Sequence, residues 1–210
     1  MPNGITAGPD GALWFTATAS PFSYVGRITT AGEVTTYNGI SEHAWPQGIT
    51  TGPDGNLWFT ERDGDRIGRI TPGGTVTEFS KGIRKGASPN EIAAGSDGAL
   101  WFTETGAERA RGGIGRITTS GDVTEFRTGI TDGEHPFGLA LGHDGAIWFT
   151  EFSYRPRAVP ARIGRIAPDG TITEYGGITR RSFPQGIAEG LHGDLWFVEE
   201  ATDILGRVRL

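Results

Sequence analysis

Five prolines, each followed twelve residues later by a tryptophan, constrain this chain more than any other feature. The pairs are Pro2/Trp14, Pro46/Trp58, Pro89/Trp101, Pro136/Trp148 and Pro184/Trp196. They frame one motif, Pro-x-x-(Ile/Leu)-x-x-Gly-x-(Asp/His)-Gly-x-(Leu/Ile)-Trp-Phe, and each copy later carries Gly-Arg, at Arg27, Arg69, Arg116, Arg165 and Arg207. Successive prolines lie 43 to 48 residues apart. A β-rich unit of that period is the mark of a propeller blade, which buries its faces only against its neighbours. The expected fold is therefore all-β, a β-propeller of five blade repeats in a single domain over 1–210. The blades span about 2–45, 46–88, 89–135, 136–183 and 184–210.

The second copy shows how one blade is built. Gly48–Thr51 is a short inner strand A, and Gly52-Pro53-Asp54-Gly55 is a tight turn. Leu57–Thr60 forms strand B, Ile67–Thr71 strand C and, after a Pro-Gly-Gly turn, Val76–Phe79 strand D. Apolar residues on both faces of strands B and C fit a sheet covered on both sides. The A–B turn keeps its length in all five copies, and the C–D turn is short in the four copies that have one. The B–C connection varies, with Trp to the Gly of Gly-Arg spanning 12, 10, 14, 16 and 10 positions. Antiparallel order puts B–C and D–A loops at one end, which makes that end the working face. The last copy stops within strand C, so nineteen strands are expected, and the unpaired edge is a liability for self-association.

Composition narrows the chemistry. Net charge is −6 with signs interspersed, which argues against non-specific nucleic-acid binding. The absence of cysteine excludes disulfides, thiolate chemistry and cysteine-ligated zinc. No apolar run approaches the roughly 20 residues of a membrane span, so no membrane partner is expected. No basic and apolar leader is visible at Met1-Pro2-Asn3-Gly4, which gives a cytoplasmic expectation.

The string Gly-Pro-Asp-Gly-Asn-Leu-Trp-Phe-Thr-Glu (52–61), with Ile67-Gly68-Arg69-Ile70-Thr71 and Val76-Thr77-Glu78-Phe79, resembles the virginiamycin B lyase (streptogramin B lyase) family. The resemblance covers essentially the whole chain. It implies a propeller, of seven blades in that family, and a Mg2+-dependent elimination that opens the ester of a cyclic depsipeptide. Such a reaction wants a base, a cation polarising the carbonyl and an acid for the leaving oxygen. Leu195–Glu200 matches the family's terminal blade, and on that match Glu199 carries over as catalytic residue and metal ligand. The family's two histidine positions, just after the strand-A proline, are Phe137 and Gln185 here. Phe183 stands where a glutamate is expected.

Other candidates come from the repeat itself. His143 and His192 fall in A–B turns and read as solvated. His43 and His135 fall in D–A loops, each after a glutamate (Glu42, Glu134). Such a pair orients an imidazole for acid–base work, so Glu134 and His135 are catalytic candidates. Glu61, Glu104, Glu151 and Glu199 close strand B where blade one has Ala17. They read either as a carboxylate ring for a cation or as structural groups, and repetition favours the second for the first three. The Gly-Arg arginines are expected to pair across strands with Glu78, Glu125 and Glu174.

Departures from the repeat point to ligand contacts. Strand A carries Gly4, Gly48, Gly138 and Gly186, but Glu91 in blade three. One position earlier stand Asn3, Gln47, Asn90, Phe137 and Gln185, mostly amides that either bind a polar ligand or bridge blades. Arg109, Arg111, Arg155, Arg157 and Arg162 make one sector of the working face basic, against Glu61, Asp63 and Asp65 elsewhere. Phe22, Tyr24, Trp45, Phe152 and Tyr154 offer an apolar platform for a small molecule or cyclic peptide, or pack the loops. Three functions stay open: a lyase on Glu199, His135 and Glu91; a non-catalytic binding propeller; and a lactonase-like hydrolase holding a cation on Glu91 and Asn90.

Overall fold

The computed structural model describes residues 1–20, 22–106, 111–154, 161–179 and 182–210. It holds four antiparallel sheets of four strands, running A-B-C-D outwards in chain order, and a fifth of three, A-B-C. Inner strands A are Pro2–Ala7, Pro46–Thr51, Pro89–Ala94, His135–Leu141 and Pro184–Glu189, and each lies against the next. Strands B are Leu13–Ala17, Leu57–Glu61, Leu100–Glu104, Ile147–Phe152 and Leu195–Glu199. Strands C are Tyr24–Ile28, Arg66–Ile70, Gly113–Ile117, Arg162–Ile166 and Ile204–Val208, and strands D are Val34–Tyr37, Val76–Phe79, Val123–Phe126 and Ile172–Tyr175. The nineteen expected strands are present, with one 3-10 turn at Glu200–Thr202. The propeller expectation holds, and the variable loops share one end. Among the described residues no helix is long and apolar enough to cross a membrane.

The repeated residues form a bracket at the tight-turn end. The turn aspartate accepts the indole N–H of its own blade: Trp14 on Asp10 and Trp58 on Asp54 at 3.0 Å, Trp101 on Asp97 and Trp148 on Asp144 at 3.1 Å. The Gly-Arg guanidinium joins the same carboxylate in Arg27–Asp10, Arg116–Asp97 and Arg165–Asp144, and it lies over the tryptophan face in blades two to five. This corrects the expected pairing with strand-D glutamates. Arg69 lies opposite Thr77 while Glu78 lies opposite Gly68, so strand alternation turns the arginine and the glutamate to opposite faces. The glutamates instead accept from the preceding D–A loop: Glu78 from Ser41, Glu125 from the Arg84 N–H and Glu174 from Thr131.

Blades stack by one repeated contact. Trp14 and Val25 of blade one meet Ile49, Leu57, Phe59 and Ile70 of blade two, and the pattern recurs through Trp148 and Ile163 against Ile187, Leu195 and Phe197. Strand A breaks register after its proline, as between Pro46 and Ile49, and the freed carbonyl is tied to the neighbouring blade. Thr60 donates to the Asn90 carbonyl at 2.6 Å, Thr103 to Phe137 at 2.8 Å and Thr150 to Gln185 at 2.7 Å. The two end blades leave opposite halves of this contact open: Ile5 is 63 % exposed in blade one and Leu205 61 % in blade five.

Candidate ligand site at the channel mouth

Three of the expected ligand contacts come together where strands A of blades three, four and five converge. Glu91, Phe137 and Gln185 line a cavity of about 320 Å³ with Gly138, Leu139, Gly186 and Ile187. Glu91 fits because the residue it faces on strand A of the neighbouring blade two has no side chain: a Cβ on Gly48 would lie 2.8 Å from the Glu91 Oε2. Burial pushes the Glu91 carboxyl up to about 7. Gln185 donates its amide to Glu200, and Phe137 stands edge-on to Phe152 and Phe183 at 5.7 and 6.5 Å.

The other candidates lie elsewhere. Asn90 is buried and donates to the Phe137 carbonyl at 3.3 Å, as Asn3 does to Pro46 at 2.7 Å, so both amides bridge blades. Asn90 does not line the cavity with Glu91. Gln47 offers its carbonyl to Thr16, and Trp45 is exposed on its loop with φ of 52°. Neither lines the cavity. Glu199 is buried and meets Thr202 Oγ1 at 3.3 Å, so the 3-10 turn directs Glu200, not Glu199, to Gln185.

The expected Glu134–His135 pair does not form. His135 is 2 % exposed, its Nδ1 lies 2.6 Å from the Thr105 carbonyl, and its ring packs on Phe152 and Tyr154. Burial lowers its pKa, the Thr105 contact opposing. Glu134 is 1 % exposed and neither carboxylate oxygen has a hydrogen-bond partner. The repeat supplies a reference: the same position, two before the strand-A proline, holds buried Ala44, Ala87 and Ser182. Burial, reinforced by Glu174 and opposed by Arg162, pushes Glu134 up to about 7. Its neighbour Glu151 is raised well above the usual carboxylate range by burial, Glu174 and Glu134.

The strand-B glutamates form no ring around the axis. Glu61 is held by Arg66 of its own blade at 3.0 Å, and Glu104 by Arg127 of its own blade at 3.1 Å and by Arg84 of the preceding loop at 3.5 Å, while neither oxygen of Glu151 has a hydrogen-bond partner. Burial and the facing strand-D carboxylate push both up to about 8. Among the described residues no three Asp, Glu or His side chains converge to hold a metal ion, so the expected Mg2+ finds no ligand set there. On the basic sector, Arg111 pairs with Asp132 and Arg162 lies 3.7 Å from Glu174; Arg109, Arg155 and Arg157 lie outside the described residues. Of the aromatic platform, Phe152 is buried, while Phe22 and Tyr154 are exposed.

Comparison with known proteins settles the kinship. The virginiamycin B lyase family model matches residues 1–210. The chain belongs to that family. It is 54 % identical over 79 residues to the virginiamycin B lyase of Saccharopolyspora erythraea, an alignment covering 38 % of this chain and 25 % of that one. A streptogramin B lyase structure superposes with TM-score 0.86 at 36 % identity, covering 100 % of this chain and 65 % of the other. A catalytically inactive histidine-to-alanine variant of the Staphylococcus aureus lyase, solved with quinupristin, superposes with TM-score 0.80 at 34 % identity, covering 99 % of this chain and 80 % of that one. The chain thus spans less than two thirds of the streptogramin B lyase structure.

Proposed function

We propose that this family member captures a cyclic peptide or cyclic peptide ester at the channel mouth, without the histidine chemistry of a lyase. The observation that carries the reading is Glu91, a carboxylate in a glycine position of the repeat, facing a cavity shared with Phe137 and Gln185. The cavity is large enough for one ligand side chain or ring and leaves the rest of the ligand across the loops. Glu91 accepts a ligand N–H, and Phe137 offers an apolar edge. Phe137 and Gln185, at the positions the resemblance gives to histidine, supply no general base.

The test is a titration with quinupristin, followed by heat or by intrinsic fluorescence. Saturable binding is expected, weakened about tenfold or more by Glu91→Gly and by Phe137→Asn. Binding strengthens as pH rises through about 7, because the charged carboxylate is the better acceptor. Unchanged affinity in both variants removes the proposal.

One observation favours a second reading. A carboxyl poised at about 7 is suited to take a proton at neutral pH, which would make Glu91 the base of an elimination. Mass spectrometry of the ligand after incubation separates the two: ring-opened product that disappears in Glu91→Gln supports elimination, and intact ligand supports capture.

A further inference from the structure

Asn38-Gly39 leads from strand D of blade one into the loop that seats Ile40 in the core between blades one and two. The glycine belongs to the repeat: Gly39, Gly82, Gly129 and Gly177 hold φ of 119°, 89°, 104° and 97°, and an isoleucine follows each. The residue before it varies, with Lys81, Thr128 and Gly176 in the other copies. Asn38 and Gly39 are both exposed. In blades two and three a backbone bond closes the loop, Ile83 N–H to Ser80 at 3.1 Å and Ile130 N–H to Arg127 at 3.3 Å. In blade one the stretch from the strand-D aromatic to the glycine is one residue shorter than in those two. Among the described residues no such bond closes it, and no hydrogen bond holds the Asn38 carboxamide or the Gly39 N–H. The other asparagines are held. Asn3, also followed by glycine, donates to Thr18 and to the Pro46 carbonyl, both at 2.7 Å, while the Gly4 N–H is taken by Thr16. Asn56 donates to Asp54 at 2.8 Å, and Asn90 is buried.

We propose that Asn38 is a site of spontaneous deamidation, and that its isoaspartate product unseats the loop between blades one and two. The Gly39 nitrogen gives up its proton and attacks the Asn38 Cγ, with no Cβ on the glycine to shield it. The new N–Cγ bond closes a five-membered succinimide, and the side-chain nitrogen leaves with the proton as ammonia. Water then opens the ring at one of its two carbonyls. Cleavage of the N–Cγ bond gives aspartate; cleavage of the bond from that nitrogen to the Asn38 backbone carbonyl carbon leaves Gly39 attached through Cγ, as isoaspartate. The isoaspartate link adds a carbon to the main chain just ahead of three seated groups. Gly39 lies beside Val76 of blade two, where a Cβ would stand at 3.6 Å. Ile40 is 5 % exposed in the cluster with Trp14, Val25 and Ile49. Ser41 gives its N–H and hydroxyl to Glu78 at 2.7 and 2.6 Å. A longer link cannot keep all three in place, so the junction loosens as the protein ages.

The test is incubation of the folded protein in mildly alkaline buffer, followed by peptide mapping with fragmentation that tells isoaspartate from aspartate. Residue 38 should convert at least about tenfold faster than Asn56 and Asn90, and isoaspartate should be among the products. Each conversion adds one negative charge, so the modified form separates by ion exchange. In that form hydrogen exchange at residues 40–41 should be about tenfold faster or more, and Tm lower. Two variants keep the outcome readable. Asn38→Thr takes the residue that blade three carries before its glycine, Thr128, and should build up no early acidic form. Asn38→Asp carries the charge on an ordinary backbone and should keep the exchange rates and Tm of the starting protein. Conversion at Asn38 no faster than at Asn56, an acidic form that grows as fast in Asn38→Thr, or an isoaspartate form with unchanged exchange and Tm each overturns the proposal.

Discussion

Replacing Glu134 by alanine should stabilise the protein, and by an amount that depends on pH. The carboxyl is raised from 4.5 to about 7 in the folded chain, so the folded state keeps a proton that the unfolded state releases across that window. The resulting penalty is absent below pH 4.5, grows between 4.5 and 7, and is complete above 7. At about 1.4 kcal/mol for each pH unit between the two values, it reaches roughly 3 kcal/mol. Removing the side chain leaves space that costs about 1 kcal/mol, a small figure because blades two and three already pack alanine, Ala44 and Ala87, at this position with no exposure. The net gain is about 2 kcal/mol near pH 8 and close to zero near pH 5, or a rise in Tm of about 4–8 °C at the higher pH. Thermal denaturation of wild type, Glu134→Ala and Glu134→Gln at the two pH values measures it. Glu134→Gln keeps the volume without the ionisation and should show the same pH dependence of the difference. A Glu134→Ala protein that loses stability at both pH values, or gains equally at both, refutes the reasoning.

Two further substitutions probe the repeat. Gly68→Ala drives a Cβ into the Phe59 ring that lies across strand C, and should cost more than about 3 kcal/mol or abolish soluble expression. Thr150→Val strips the Gly138 N–H of its acceptor and the Gln185 carbonyl of its donor, and chemical denaturation should show a loss of about 1–3 kcal/mol with an unchanged m-value.

Periodicity carried the fold. Turn glycines, the Trp-Phe strand and the constant A–B spacing left few alternatives, and the end of the molecule carrying the irregular loops followed from antiparallel order alone. Side-chain direction was less legible. Glu199 and Glu200 are adjacent, and the 3-10 turn that starts between them decides which reaches Gln185. The arginine's partner was in the sequence, since the aspartate stands four residues before the tryptophan in the first four copies. Neither residue alone reveals that the indole N–H and the guanidinium meet on one carboxylate. Exposure of His135 was illegible because it depends on Phe152 and Tyr154 folding over it, a long-range contact with no local signal. The signal at Glu134 was available by comparing Ala44, Ala87 and Ser182, and lay on the far side of the proline from the positions that draw attention.

A repeat protein contains its own control, because each blade shows what a position needs when it only has to pack. Set against that control, four departures stand out in blades three and four. Glu91 replaces glycine, Phe137 an amide, Phe152 a threonine or arginine, and Glu134 an alanine. The tight-turn end is held constant by its bracket, and four of five copies there keep the same aspartate, tryptophan and arginine. Two of these departures also work against stability, since Glu91 and Glu134 place carboxyls where burial holds them near neutrality. Packing gives no reason for either carboxyl, and of the two only Glu91 lines the channel-mouth cavity, so Glu91 is the departure that a ligand there would account for.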